Sequence, residues 1–291
     1  MSKVDEIHET ITNKIITELE KGNIPWKKPW KGIENNPKNL ISGKAYSGIN
    51  FFLLSMSCFE SNYFLTFKQA KALGGSVMKG QKGSPIIYYG VGKSKDTLDG
   101  EKAKGYSFLK SYNVFNISQC ENIDHSRIEE AKTFEPLEFN PIEKAETIVS
   151  NFKGKPKITS IENSAYYRPI TDTVNMPNKD NFHGIDEYYA TLFHELTHST
   201  GAKKRLSRPE VTEQHFFGSS DYSKEELTAE LGSAFLCSQA GIDNTLTNSV
   251  GYLQSWLKVL KSKDNSKWII EASKKAQKAT NYINGIKPVV V

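Results

Sequence analysis

The pentapeptide HELTH at 194–198 limits the folds open to this chain more than any other feature. Apolar residues recur around it at helical spacing, at Tyr189, Leu192, Phe193 and Leu196. This periodicity predicts a helix over 186–200. His194 and His198 then share one helix face, where two imidazoles can bind one zinc ion. Glu195 projects beside them and can accept a proton from a water molecule that zinc activates. The alternative is a helix with two exposed histidines that bind nothing.

A catalytic zinc site needs a third protein ligand and one open position. In the longer pattern HExxHxxGxxH, the third histidine would stand at position 204. Residue 204 is Lys204, so this subclass is excluded. The downstream candidates for the third ligand are His215, Glu225, Glu226 and Glu230.

Two of these candidates lie four residues apart in a helix predicted over 223–241. Glu226 is assigned as the third ligand. Glu230 is expected to accept a hydrogen bond from the ring N–H of a histidine ligand without contacting the metal itself. The reverse assignment of these two residues is the alternative. A structural interpretation is also open, in which Ser223 caps the helix and Glu226 completes a capping box.

Three nearby residues have simpler interpretations. Gly201 follows the histidine helix at the position of a helix terminator. Tyr222 precedes the second helix and could polarise a bound carbonyl, although a structural tyrosine is the favoured interpretation. Cys237 lacks metal-cysteine spacing and is predicted to be a small buried residue.

The positive charge of the chain is concentrated in one segment. The net charge is +5, but residues 21–110 alone contain 15 lysines and 5 acidic residues. A basic segment interleaved with aromatic residues is typical of a surface that binds a polyanion, because cations pair with phosphates and flat rings stack on bases. The alternative is a solvated lysine-rich face with no partner.

The length of 291 residues suggests two domains. A polar stretch over 118–141 is predicted to contain the linker, which gives a first domain over 1–120, a linker over 121–141 and a second domain over 142–291. The predicted elements include helices over 4–21 and 46–60, a hairpin of strands 85–92 and 106–117, and short strands over 157–162, 165–169 and 172–177. The fold class is therefore α+β, with a mostly helical second domain that carries a small sheet.

Composition bears on the compartment. The mean hydropathy is −0.51. The sequence has no run of about 18 apolar residues of the kind that spans a membrane, and its start lacks the apolar core of a signal peptide. Its 3 cysteines are far apart, which favours reduced thiols. These features predict a cytoplasmic protein without a membrane partner.

Taken together, the motifs and their order resemble the ArdC-type antirestriction proteins of conjugative plasmids and other mobile elements. In the first half, the residues that carry the resemblance are Ile24-Pro25-Trp26, Pro29-Trp30, Tyr46-Ser47-Gly48-Ile49-Asn50, Thr66-Phe67-Lys68-Gln69-Ala70, Gly80-Gln81-Lys82-Gly83 and Val114-Phe115-Asn116. In the second half they are 194–198, Tyr222, Glu225-Glu226-Leu227, Ala229-Glu230-Leu231, Trp256 and Ala276-Gln277-Lys278-Ala279. The stretch over 93–104 does not align with any family feature.

The resemblance implies a domain that binds single-stranded DNA followed by a zincin-like metallopeptidase domain. It implies a bacterial protein that enters a recipient cell with the transferred strand and protects that strand against restriction. The metallopeptidase domain looks like that of proteases acting on DNA–protein crosslinks, so DNA-bound proteins are the expected substrates. One Zn²⁺ is the expected cofactor, with Mn²⁺ or Co²⁺ as alternatives.

Combined with the basic segment, the resemblance assigns candidate DNA contacts. Phosphate contacts are expected from Lys27, Lys28, Lys68, Lys79 and Lys82, and stacking contacts from Trp26 and Trp30. Packing of these tryptophans in a core is the alternative. No feature predicts readout of base edges, so binding is expected to be largely independent of DNA sequence.

Two other hypotheses remain open at this point. In one, the protein is a non-enzymatic DNA-protecting protein whose zinc is structural. In the other, it is a plain peptidase whose basic face contacts a membrane or an acidic substrate. The oligomeric state is not predicted.

Overall fold

A computed structural model describes most of the chain. The described residues are 2–24, 36–57, 59, 61–93, 105–123, 140–213, 219–242, 250–262 and 266–286. The chain divides into two compact units: the first comprises Met1–Ile11 and Pro37–Thr133, the second Thr12–Asn36 and Phe134–Val291. The domain boundaries drawn from the sequence stay a prediction, and most of the expected linker lies outside the described residues.

The helices of the described part are α1 Lys3–Glu20, α2 Ile49–Ser55, α3 Phe67–Ala72, α4 Pro141–Asn151, α5 Ile185–Ser199, α6 Pro209–Thr212, α7 Ser220–Ala240, α8 Val250–Leu260 and α9 Trp268–Ile283. The strands are β1 Lys38–Asn39, β2 Tyr63–Thr66, β3 Ser76–Val77, β4 Ser84–Lys93, β5 Gly105–Asn116, β6 Cys120–Glu121, β7 Lys157–Thr159, β8 Tyr166–Arg168 and β9 Thr173–Asn175. Among the described helices, none combines the length and apolar character needed to cross a bilayer.

The first unit is built on a four-stranded sheet with the strand order β1-β2-β5-β4. β1 runs parallel to β2, and the other pairs are antiparallel. The long β4–β5 pairing runs from Ser84 opposite Val114 to Lys93 opposite Gly105, as the predicted hairpin requires. The helix predicted over 46–60 is shorter at both ends than expected, since α2 begins at Ile49 and ends at Ser55.

Described residues form two small cores against this sheet. Leu54, Phe64 and Val114 form one, with Ile86 packed against it. The other contains Leu65, Ala70 and Leu73 together with Leu40 and Ile123. A capping box holds the start of α3, since Gln69 N donates to Thr66 Oγ1 at 3.2 Å and Thr66 N donates to Gln69 Oε1 at 2.8 Å. The last residue of β2, Thr66, is thus also the N-cap of α3.

The second unit packs helices around a three-stranded sheet with the order β7-β9-β8. β8 therefore lies at an edge of this sheet among the described strands. α5 and α7 pack against each other, and a core that includes Phe193, Leu196 and Leu236 fills the space around them. The two helices approach closely at Gly232, where an added Cβ would lie 2.5 Å from Thr197 Cγ2. A glycine in the middle of α7 thus brings the two helices that carry the predicted ligands together.

Arg205 fastens the end of α5 to the small sheet. Its Nε donates to Ser199 O at 2.6 Å, and its guanidinium also pairs with Asp172, between β8 and β9. Tyr167 of β8 donates from its hydroxyl to Asp172 Oδ1 at 2.9 Å. Burial alone raises the pKa of Asp172, but the hydrogen bonds from Arg205, Lys204 and Tyr167 outweigh it and hold this pKa well below its ordinary value. The ionised carboxylate therefore helps to fix β8 beside α5.

We expect Asp172→Asn to destabilise the protein at neutral pH and to lose its effect in acid. A depressed carboxyl pKa contributes stability that is present above the unfolded-state pKa of about 3.9 and is lost as the pH falls toward the folded-state value. Asparagine also tolerates the left-handed backbone of this residue, whose φ is 48°. Urea unfolding with a chelator, at a series of pH values, measures the difference between the two proteins. A difference that stays constant from neutral pH to pH values below about 4 would contradict this account.

Candidate metal centre

Both histidines of the HELTH motif lie on one face of α5, as the helical spacing requires. Their Nε2 atoms are 3.0 Å apart, and the ring centroids are 4.7 Å apart at an interplanar angle of 81°. Both side chains are largely buried, with 13% exposure each. Two imidazole nitrogens at this distance repel unless a proton or a cation lies between them.

α7 brings Glu226 to the same point. Glu226 Oε2 lies 3.5 Å from His194 Nε2, and Glu226 Oε1 lies 3.5 Å from His198 Nε2. One potential ligand atom from each of the three residues lies within 4.8 Å of the others. A set of two imidazoles and one carboxylate is chemically suited to Zn²⁺ and to other divalent first-row ions.

The start of α7 differs from the sequence prediction. The helix begins at Ser220, with Ser219 as the N-cap, and the Ser219 side chain accepts from Tyr222 N at 3.2 Å. Ser223 lies inside the helix, where its hydroxyl donates to Ser219 O at 3.0 Å. The capping interpretation of Ser223 and Glu226 is therefore wrong, because the true cap lies one turn earlier.

A buried ion pair between Glu225 and Arg208 holds the ring of His198. Its Nδ1 lies 3.1 Å from Glu225 Oε1, and Arg208 binds the same carboxylate through Nη2 at 2.6 Å and Nε at 2.9 Å. Burial raises the pKa of Glu225, but the hydrogen bonds to His198 and Arg208 outweigh it and lower this pKa. An ionised Glu225 requires a hydrogen on His198 Nδ1, which leaves the Nε2 lone pair of neutral His198 facing His194 and Glu226.

Arg208 also ends the histidine helix. Its Nη2 donates to Thr197 O at 2.8 Å, and its Nη1 donates to Thr200 Oγ1 at 2.6 Å. Gly201 stands where a terminating glycine is expected, but its backbone is not left-handed. Its lack of a side chain leaves room for Arg208 and Val211, because an added Cβ would lie 3.0 Å from Arg208 Nη2 and 2.4 Å from Val211 Cγ2. Arg208 was not predicted from the sequence, since a single arginine in a loop carries no motif.

The carboxylates of the site favour a cation between the histidines. Burial lowers the pKa of His194, but the hydrogen bond to Glu226 and the charges of Glu195, Glu230 and Glu226 outweigh it and raise this pKa to about 10. Burial raises the pKa of Glu226, yet contacts with His194 and His198 dominate and lower it to about 2. Burial, followed by the charge and hydrogen bond of Glu226, raises the pKa of Tyr222 to about 12. Tyr222 therefore keeps its proton at neutral pH.

A cleft of about 460 Å³ opens beside these side chains. Its walls include the two histidines, Glu195 and Glu226, and on other sides Tyr222 and the tyrosines of β8. Glu195 is 8% exposed. One cleft is thus lined by a carboxylate, a protonated phenol, an edge strand and the three potential ligands.

The other predicted site residues lie in different surroundings. Glu230 is buried one turn beyond Glu226, and its expected contact with a histidine N–H stays a prediction. Lys68, Lys79 and Lys82 are exposed in the first unit, at the start of α3 and in the loop before β4. The predicted DNA contacts Trp26, Lys27, Lys28 and Trp30, together with the alternative ligand His215, lie outside the described residues.

Comparison with known proteins agrees with this arrangement. The family model for the N-terminal domain of anti-restriction factor ArdC matches residues 5–115, and the model for a zincin-like metallopeptidase matches residues 143–275. Two Escherichia coli proteins named DNA primase TraC are 33% and 32% identical over 95% of this chain, which spans only 20% and 27% of their lengths. An uncharacterized protein of Sinorhizobium fredii, y4eC, is 31% identical over 96% of this chain and 92% of its own length.

Solved structures extend the similarity to three dimensions. The metal-free structure of the antirestriction protein ArdC from plasmid R388 is 34% identical, with a TM-score of 0.74 over 96% of this chain and 97% of that chain. The Mn(II)-bound structure of that protein gives 33% identity and a TM-score of 0.73 over 98% and 99% of the two chains. The α+β, two-domain fold class is thereby confirmed. The chain belongs to the family of ArdC antirestriction proteins, with a zincin-like metallopeptidase domain in its second half.

Proposed function

We propose that the chain binds single-stranded DNA through the region that matches the N-terminal ArdC model, residues 5–115, and acts through its zincin-like region as a metal-dependent hydrolase on proteins near that DNA. One observation carries the hydrolase part of the proposal. The two histidines and Glu226 converge at the wall of a cleft that Glu195 also lines. Tethering a hydrolase to DNA raises its effective concentration toward DNA-bound proteins.

His194, His198 and Glu226 would hold one divalent ion. The donor set and the Nε2 lone pair of His198 fit such an ion, and a similar protein has been solved with Mn(II). We favour Zn²⁺ in this chain, because two imidazoles and one carboxylate form a known catalytic zinc set. The bound ion would supply Lewis acidity to the reacting groups.

Glu195 and Tyr222 would perform the proton chemistry. The carboxylate of Glu195 accepts a proton from the attacking water and passes it to the leaving amine. The hydroxyl of Tyr222, which keeps its proton, donates a hydrogen bond to the oxygen on which negative charge develops. Glu225 and Arg208 hold His198 in one tautomer and orientation.

The cleft is suited to an extended peptide. β8 is an edge strand among the described strands, and its Tyr166 and Tyr167 line the cleft. A peptide can add to such an edge as a further strand through main-chain hydrogen bonds. This supports a peptide bond as the target.

A purely structural metal is the second candidate function for the site. Structural zinc sites are closed and have four protein ligands, whereas three potential ligands beside an open cleft leave one position for substrate or water. The open cleft therefore favours the hydrolase.

Single-stranded DNA binding rests on charge and on the relatives. Residues 5–115 match the N-terminal ArdC model, and two relatives are named primases. Lys68, Lys79 and Lys82 are exposed and suit phosphate contacts. We retain Trp26, Lys27, Lys28 and Trp30 as proposed contacts.

We expect Glu195→Gln to abolish hydrolysis while the metal content stays stoichiometric. Removal of a general base lowers the rate by about 10²–10⁴-fold, whereas the three ligands are untouched. The assay uses metal-loaded protein with a DNA-binding protein crosslinked to a single-stranded oligonucleotide, read by gel electrophoresis, and elemental analysis of the same samples. Glu271→Gln, at an exposed position of α9, is the control and should cleave as the wild type does. Cleavage by the Glu195 variant would exclude the assigned mechanism, and metal-loaded wild type without activity would favour the structural alternative.

We expect Glu225→Gln to weaken metal binding. The neutral amide no longer holds the Nδ1 hydrogen of His198 as strongly, and loss of such a partner raises the dissociation constant by about 10–100-fold. Competition with a chromophoric chelator measures the constant for Zn²⁺ and Mn²⁺, and circular dichroism checks the fold, since Arg208 loses its buried counterion. A folded variant with wild-type metal affinity would remove Glu225 from the site.

We expect the wild type to bind single-stranded DNA more tightly than duplex DNA and to lose affinity with salt. Phosphate contacts release counterions, so the affinity should fall by about tenfold or more between about 50 and 200 mM salt. Fluorescence anisotropy with labelled oligonucleotides of mixed sequence measures both effects. Equal affinity for the two forms of DNA would count against single-strand binding.

A further inference from the structure

The β4–β5 hairpin carries aromatic side chains along one exposed face. Tyr88 pairs with Lys110 across the two strands, while Phe108 stands opposite Gly90 and Tyr112 opposite Ile86. Because residues directly opposite each other in an antiparallel pair project to the same side, all of these side chains share one face. We define Tyr88, Phe108, Lys110 and Tyr112 as the aromatic strip.

The side chains of the strip contact one another. The ring of Tyr88 lies 6.2 Å from that of Phe108 and 6.5 Å from that of Tyr112, with interplanar angles of 48° and 70°. Lys110 Nζ stands 4.9 Å from the centroid of the Phe108 ring. The rings are tilted or edge-on, so they do not stack on one another. They form one continuous aromatic surface with a cation beside it.

The aromatic strip is exposed to solvent, although the same face of the sheet is buried nearer to β2. Near β2, Val114 is fully buried in a core with Phe64, and Ile86 packs against that core. Beyond it, Tyr88 is 54% exposed and Tyr112 is 46% exposed. Large aromatic groups left in solvent next to a complete core indicate a binding surface rather than unfinished packing.

Gly90 gives Phe108 its position. An added Cβ at Gly90 would lie 2.2 Å from Phe108 Cζ, so the ring lies directly over the glycine. A side chain at position 90 would displace the ring. The glycine thus keeps Phe108 low against the sheet, next to Tyr88.

Among the described residues of the two strands and the chain next to them, the charge is of one sign. Residues 61–93 and 105–120, which are described and include both strands, contain 6 lysines and no acidic residue. A nucleic acid offers both phosphates for the lysines and bases that stack on the rings, so it uses both features of this surface. Bases inside a duplex cannot reach exposed rings, so the surface fits an unpaired strand.

We propose that the aromatic strip is the surface on which this chain stacks unpaired bases of single-stranded DNA, with Lys110 contacting the backbone phosphate. This assignment rests on the proposed single-strand binding and names where the bases lie. Stacking tolerates any base, because each has a π-face, so the strip gives affinity without sequence preference.

The test compares two tyrosines that are neighbours on β4 and lie on opposite faces. Tyr88→Ala combined with Tyr112→Ala should raise the dissociation constant for a mixed-sequence single-stranded oligonucleotide by about 5–150-fold for each base that loses its ring. Tyr88→Phe combined with Tyr112→Phe should retain wild-type affinity, because the rings remain. Tyr89→Ala is the matched control: Tyr89 is 43% exposed on the other face, and its loss should leave the affinity unchanged. Thermal unfolding by circular dichroism confirms that each variant is folded.

Salt titration separates stacking from charge. The alanine pair should keep the wild-type slope of affinity against salt, while Lys110→Gln should reduce the magnitude of that slope by about 0.7, the value for one phosphate on a single strand. If the wild type binds and the folded alanine pair binds equally well, the strip is not the stacking surface, although single-strand binding stands. If the wild type itself does not bind, single-strand binding fails. Tighter binding to RNA of the same sequence would overturn the assignment to DNA.

Discussion

The network of hydrogen bonds and one ion pair around Arg208 is the interaction on which the second unit depends. One guanidinium binds Glu225 through two nitrogens, and through the remaining donors it holds carbonyl and hydroxyl groups at the end of α5. A buried ion pair costs desolvation and is a weak source of net stability, but loss of one partner leaves an uncompensated buried charge. The network therefore fixes geometry. It links the end of the histidine helix to the start of α7, and so sets the distance between His198 and Glu226.

The sequence was sufficient for the parts of the site that follow from helical periodicity. The shared face of His194 and His198 depends only on spacing along α5. Spacing along α7 singled out Glu226 and Glu230 as a pair, and the structure brings Glu226 to the two histidines. The identity of the neighbours behind them depends on how two helices and a loop pack, which no local pattern encodes. Glu225 was one of several possible ligands, and Arg208 had no motif. The space left by Gly201 and Gly232 explains why these elements can come so close.

The first unit shows the same division between pattern and packing. Two runs rich in apolar and aromatic residues, on either side of a polar stretch, predicted the β4–β5 hairpin, and its extent agrees closely with the observed strands. The pattern did not distinguish the aromatic residues that enter the core from those that remain in solvent. Ile86 and Tyr88 are two residues apart on one face, yet only Ile86 reaches the core. The stacking contacts predicted from the sequence therefore include the two tryptophans and none of the hairpin tyrosines.

The two candidate sites use opposite electrostatics. The metal centre gathers Glu195, Glu225, Glu226 and Glu230 around two histidines, and Arg208 directly pairs with one of these carboxylates. Such a site attracts a cation, and it would repel the phosphates of DNA at close range. The described strands of the hairpin have lysines and no carboxylate, so under the proposed single-strand binding they would attract those phosphates. Because the side chains of each site come from within one unit, a DNA strand and a divalent ion need not compete for the same groups, and each site can change without loss of the other.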